Sequence, residues 1–173
     1  MRKRPDDDFI SYVRGRLPAL RRVGAQLAGD AHRGDDLVQQ AITRLYTRWR
    51  RVAETENLDA YVYKILLRVF LDEQRLRWAT VRLGTGPSDL DHLVGQSHPT
   101  SEVDDRMLLR DALALLPPKQ RAVLVLRFLA DRSVEEVAEI LNVSGGTVKS
   151  QTHDGLTTLR RVLGADQRNG VNS

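Results

Sequence analysis

A chain of 173 residues, 29% charged and 41% hydrophobic, has the composition of a folded soluble protein and the length of one ordinary domain or two small ones. It has no apolar run near the roughly 20 residues that span a membrane, no apolar core behind "MRKRPDDDF" to make a secretory signal, and no cysteine for disulfides or thiolate-bound zinc, all of which fits the cytoplasm. The net charge of +4 and pI of about 9.7 lean toward a polyanionic partner.

The N-terminal block, residues 1–80, carries 16 Lys/Arg against 11 Asp/Glu and reads as three helices. The first is expected from about Asp7 to Ala28, with Phe9, Val13, Leu17, Leu20, Val23 and Leu27 on one stripe and a kink or break at Pro18. "GDAHRGDD" supplies a turn and a cap. The second helix is expected from about Asp35 to Arg51, with Leu37, Val38, Ala41, Leu45, Trp49 and Val52 inward. After the polar "AETEN", the third is expected from about Leu58 to Trp78, with Tyr61, Ile65, Leu66, Val69 and Leu76 apolar and Lys64, Arg68, Arg75 and Arg77 outward.

The stretch 81–104 holds 1 Lys/Arg against 4 Asp/Glu, is rich in Gly, Pro, Ser and Asp, and reads as a flexible linker. The C-terminal block, 105–165, gives four helices. "DDRMLLRDALALL" ends at Pro117-Pro118, and "PKQRAVLVLRFLA" starts with proline in its first turn. "SVEEVAEIL" has Ser133 three residues before Glu136, the spacing of a capping box. The last helix is expected from about Gly145 to Leu163, with a short tail (166–173) behind it. No strand pattern and no repeat is present. The expected fold class is all-α, in two small helical domains.

Residues 133–163 fit a helix-turn-helix. Ala138 is small where the two helices must touch. Asn142 takes the turn position that needs a left-handed backbone. Val143 and Val148 fill the crossing, and Thr152, Leu156, Leu159 and Val162/Leu163 continue the inward stripe. Lys149, Ser150, His153 and Arg160 are left facing out. The second helix of such a motif enters the major groove by its N-terminal end, where free backbone N–H groups attract phosphate. Ser144 can cap that end. Gly145 and Gly146, poor helix formers, leave a bare backbone that can approach a ligand closely. A plain αα-hairpin in a helical bundle shows similar spacing, so the motif alone leaves both readings open.

The residues that decide between them are spread along the chain. "LPPKQRAVLVLRFLADRSVEEVAEILNVSGGTVKSQTHDGLTTLRRVL" resembles region 4 of bacterial sigma factors of the extracytoplasmic-function group. "GDDLVQQAITRLY" resembles their region 2.2, and "YVYKILLRVFLDEQRLRW" their regions 2.3 and 2.4. "RGRLPALRRVGAQLAGD" is similar to the first helix of the actinobacterial SigE-type subgroup. The resemblance covers roughly residues 8–80 and 104–163, in the family's order.

The resemblance implies a dissociable specificity subunit with no catalytic residue and no cofactor or metal. Its N-terminal domain would bind the β′ clamp helices of core RNA polymerase and open and read the −10 promoter element. Its C-terminal domain would bind the β flap and read the −35 element as duplex. Asp36, Gln39 and Gln40 match the polymerase-binding positions and lie on one helical face. Gln40 stands where the family usually has Glu. Tyr61, Tyr63, Lys64, Arg68, Arg75 and Arg77 match the −10 region and combine ring faces with cations, as a displaced strand requires. Tyr61 fits the core equally well by spacing, and Arg68 stands where relatives have Asn. Ser144, Gly145, Gly146, Thr147, Lys149, Ser150, Gln151 and His153 match the −35 recognition helix. Gln151 replaces a common Arg, which exchanges a preference for guanine for one for adenine. Gly155 replaces a usual Ala, and the sequence offers no reason for it. An anti-sigma factor is the further partner the resemblance implies.

Two other classes compete. A repressor using only the helix-turn-helix leaves "GDDLVQQAI" unexplained, and a helical adaptor leaves both basic faces unexplained. An enzyme has less behind it. His32, His92, His98 and His153 lack metal-ligand spacing, and "LGTG" lacks the lysine of a phosphate loop.

Overall fold

The computed structural model describes residues 4–83 and 102–169. Among them are seven α-helices and no strand: α1 Pro5–Ala28, α2 Ala31–Val52, α3 Leu58–Arg82, α4 Glu102–Ala114, α5 Pro118–Leu124, α6 Val134–Leu141 and α7 Gly145–Asn169, with a π-helical turn Val125–Leu129 after α5. Residues 84–101 of the expected linker, 81–104, lie outside the described residues. Its expected edges are helical, since α3 runs on to Arg82 and α4 begins at Glu102.

α1 passes through Pro18 without ending. Pro18 is exposed, so the carbonyl it strips of a partner faces water rather than the core. Gly29 ends α1 in the left-handed region, φ 77°, and donates its N–H to the Ala25 carbonyl. Asp30 caps α2 by accepting from the His32 N–H at 2.8 Å. The expected turn over "GDAHRGDD" is therefore only two residues long, and α2 starts four residues earlier than the sequence suggests.

Gly34, inside this added first turn of α2, packs directly on α1. A Cβ there would lie 2.5 Å from the Ala25 nitrogen and 2.7 Å from the Gly24 carbonyl carbon, and one on Gly24 would lie 2.8 Å from the Gly34 oxygen. The backbones of α1 and α2 cross where neither has a side chain. Leu37, Val38, Ala41, Leu45 and Trp49 are buried along α2 as expected. Leu76 is not an inward residue. It is 70% exposed and lies beyond Phe70, the last buried residue of α3.

In the C-terminal block, the single helix expected from "PKQRAVLVLRFLA" widens after Leu124. The Ala130 N–H reaches back five residues to the Val125 carbonyl at 3.0 Å. The helix stops at Asp131, whose φ is 54°. The expected tail is helical as far as Asn169. Gly155 now has a structural reason. It is buried, and a Cβ there would lie 3.1 Å from the Leu124 side chain, so it lets α7 lie close on α5.

The two blocks share one core. Leu27, Leu66 and Phe70 belong to the same buried cluster as Leu113, Leu126 and Val137. α1 packs on α4, and α3 packs on α5 and α6. Two arginines of the C-terminal block cross the seam. Arg121 is 7% exposed. It donates to the carbonyls of Leu27 at 2.8 Å, Ala114 at 3.1 Å and Leu116 at 3.1 Å. Its guanidinium also lies over the Phe70 ring, 5.5 Å from the centroid. Arg132 lies over the Tyr63 ring at 5.3 Å.

Candidate nucleic-acid and polymerase interfaces

α6 and α7 form the expected helix-turn-helix. The Ser133 hydroxyl accepts from the Glu136 N–H at 3.1 Å. The Glu136 carboxylate pairs with Arg132 at 3.4 Å, so one half of the capping box forms and the acid is used elsewhere. Asn142 is left-handed, φ 54° and ψ 51°, and the Val143 N–H closes the turn onto the Ala138 carbonyl at 3.0 Å. Val148 is fully buried at the crossing, whereas Val143 is 38% exposed and only borders it. The turn holds Val143 by its backbone and leaves its side chain at the rim.

Ser144 caps α7, accepting from the Thr147 N–H at 3.1 Å, and its hydroxyl lies 2.9 Å from that of Thr147. Gly146, Thr147, Lys149, Ser150 and His153 are exposed, while Gly145 and Gln151 are half-buried. A Cβ on Gly145 would meet Val134 at 3.7 Å and one on Gly146 would meet the Ser144 hydroxyl at 3.8 Å, both ordinary contacts. Among the described residues, nothing requires glycine at either position. The bare tip of α7 therefore faces outward as an unobstructed N-terminal turn with free N–H groups.

On α2, Asp36, Gln39 and Gln40 are all exposed. The two adjacent acids behave differently. Asp35 is held by a bidentate pair with Arg21, at 3.0 and 3.1 Å, and that guanidinium holds the Asp35 carboxyl below its usual range. The Asp36 carboxylate makes no ion pair among the described residues and is free for a partner.

The α3 residues are divided. Arg68 and Arg75 are exposed, and Lys64, Tyr61 and Arg77 are half-buried. The Tyr61 hydroxyl lies 3.5 Å from the Arg48 guanidinium. Tyr63 is 7% exposed, and its phenol is pushed up, by burial above all. It faces the seam beneath Arg132, so in this arrangement its ring is not open to a ligand. Arg77 is on the opposite side of α3 from Lys64, Arg68 and Arg75, because residues two apart on a helix point in different directions.

Sequence reasoning passed over Arg121 and Arg132. Arg121 is spaced three and four residues from the buried Leu124 and Val125, and that spacing turns it inward. Periodicity could have found it. Nothing local identifies Arg132, whose contact with Tyr63 is long-range.

Comparison with known proteins identifies both halves. Residues 112–161 match the family model "Sigma-70, region 4", and residues 13–67 match "Sigma2 domain of PhyR". The RNA polymerase sigma-E factor of Streptomyces avermitilis is 38% identical over 156 residues, 90% of this chain and 85% of the relative. The ECF (extracytoplasmic-function) RNA polymerase sigma factor SigL of Mycobacterium tuberculosis is 32% identical over 83% of this chain and 82% of its own. The chain belongs to the extracytoplasmic-function sigma factors. Among solved structures, the sigma factor RpoE in complex with the anti-sigma factor NepR from Bartonella quintana superposes with a TM-score of 0.71. It is 26% identical and covers 92% of this chain and 98% of that one. CnrH in complex with the cytosolic domain of CnrY has the same fold, with a TM-score of 0.63. This chain is an alternative sigma factor that directs transcription initiation. No helix among the described residues is long and apolar enough to cross a membrane.

Proposed function

We propose that this sigma factor works in the cytoplasm, docking on the clamp helices of core polymerase through Asp36, Gln39 and Gln40. In the same complex it reads a −10 element along α3 and a −35 element with the tip of α7, and its C-terminal block meets the β flap. The observation that carries the reading is the capped, unobstructed tip of α7 beside exposed Thr147, Lys149, Ser150 and His153. That is the constellation a recognition helix presents to a major groove. The free carboxylate of Asp36 supports the docking face. The solved relative RpoE, captured with the anti-sigma factor NepR, supports an anti-sigma partner for this chain.

Transcription in vitro tests the whole reading. Core polymerase charged with the chain should start transcripts from a subset of a promoter library, and an absence of promoter-dependent transcripts would sink it. In a pull-down, the double variant Asp36→Ala with Gln39→Ala should retain core polymerase at least 10-fold less well, since roughly 1.4 kcal/mol of lost contact is a factor of 10. Normal retention would remove α2 from the docking surface.

The glycine tip makes a separate prediction. Gly146→Ala should leave the fold as stable as the parent or up to about 1 kcal/mol more stable, because alanine is the better helix former and there is room for its Cβ. Gly146→Leu should weaken binding to a −35 duplex while leaving core-polymerase binding unchanged. Fluorescence anisotropy with labelled duplex checks this, and equal affinity for the leucine variant would rule out close backbone approach.

A further inference from the structure

α3 runs more than two turns past its last buried residue, Phe70, and from Arg75 onward most of its residues are exposed. Leu76, Trp78, Val81 and Leu83 are exposed there, Trp78 by 64%. The other tryptophan, Trp49, is 7% exposed and belongs to the core. At 3.6 residues per turn, Tyr61, Lys64, Arg68, Arg75, Trp78 and Arg82 fall in one sector roughly 100° wide. Four cations and two rings thus line a single stripe about 30 Å long. From Arg75 to Leu83 the chain has three arginines and no carboxylate.

We infer that Trp78 is a stacking platform for an unpaired DNA base, flanked by Arg75 and Arg82 as phosphate ligands, at the end of the α3 stripe. The inference rests on the reading of α3 as the −10 face and extends that face by more than a helical turn. Charge selects the occupant. A strand of nucleic acid offers a phosphate for each cation and a π-face for the ring, whatever the base. An apolar partner helix or a lipid surface would need the exposed apolar residues on one side. Leu76 and Leu83 instead point well away from Trp78 around the helix axis, and of the exposed aliphatic residues there only Val81, three residues on, lies beside it.

The test uses core polymerase charged with the chain. Its ligand is a fork-junction DNA, duplex upstream and single-stranded across the −10 positions of a promoter that the parent uses. Trp78→Ala should weaken retention of the fork roughly 5- to 150-fold, the range for loss of one base–aromatic stack, with core-polymerase binding unchanged. Trp78→Phe should restore most of the affinity and Trp78→Leu should not, because leucine returns apolar area without a π-face. An alanine variant as tight as the parent, or a leucine variant as good as phenylalanine, overturns the inference. So does a loss of core-polymerase binding in the alanine variant, which would assign Trp78 to a protein contact. Failure of the parent itself to retain the fork would bring down the −10 reading of α3 and the inference with it, which separates the two failures.

Discussion

Gly34→Ala should be among the most damaging single-methyl additions this chain can receive, lowering stability by about 3 kcal/mol or more. Alanine is normally the better helix residue by about 1 kcal/mol, so the packing cost must exceed that gain. It does so because the added Cβ would sit 2.5 Å from a backbone nitrogen and 2.6 Å from the Cα of Ala25. Backbone atoms of a helix cannot swing aside as a side-chain end can. Either α1 and α2 separate along their length or the residue distorts, and separation loosens the packing of Val23, Leu27, Leu37 and Val38. At 2–4 °C per kcal/mol for a chain of this size, the thermal midpoint should fall by roughly 6–12 °C. Gly15→Ala is the control. It also lies within α1, but its Cβ would meet nothing within 4 Å, so it should hold or slightly raise the midpoint. If the two variants melt together, the crossing is softer than its geometry indicates.

That crossing also marks where the sequence was legible and where it was not. The apolar stripe of α2 is readable because each of its residues faces one surface, and a 3.6-residue period records that directly. "GDAHRGDD" misleads because its two glycines do different work. Gly29 supplies a left-handed backbone, whereas Gly34 supplies an absence of side chain in mid-helix. Composition cannot distinguish the two, since the second depends on a backbone 10 residues away in the chain. Gly155 is the same case against Leu124.

The candidate surfaces divide on the same principle. The tip of α7 was readable through cap, turn and spacing, all local. The failures on α3 were not local. Tyr63 looks like an exposed aromatic until Arg132, 69 residues later, lies over it. Leu76 keeps the period of the core after the core has ended. Periodicity says which way a residue points, not whether another element arrives to cover it.

Arg121 is the place where covering matters most, and its replacement by methionine should cost about 2–4 kcal/mol. A buried guanidinium without a carboxylate is expensive. Burial, with Arg33 adding in the same direction, pushes Arg121 down to about 10, which still leaves it charged at neutral pH. The charge is tolerated because three carbonyls accept from it. Two of these, of Leu27 and Ala114, belong to the last turns of α1 and α4. Such end carbonyls have no partner within their helix and sit at its negative pole. Arg121 thus caps two helices from opposite sides of the seam while its face rests on Phe70 of a third. Methionine would fill much of the volume but donate nothing, leaving buried acceptors short at about 1–3 kcal/mol each, partly offset by the charge no longer being buried. Lysine should recover only part, because a single ammonium cannot reproduce the planar fork. The loss should concentrate at the seam. Amide exchange should quicken at the C-terminal turn of α1 and around Tyr63 before it quickens at the α6–α7 turn. Uniform quickening would mean that Arg121 supports the whole core. An unchanged midpoint would mean that the cost of burying its charge cancels what its hydrogen bonds contribute.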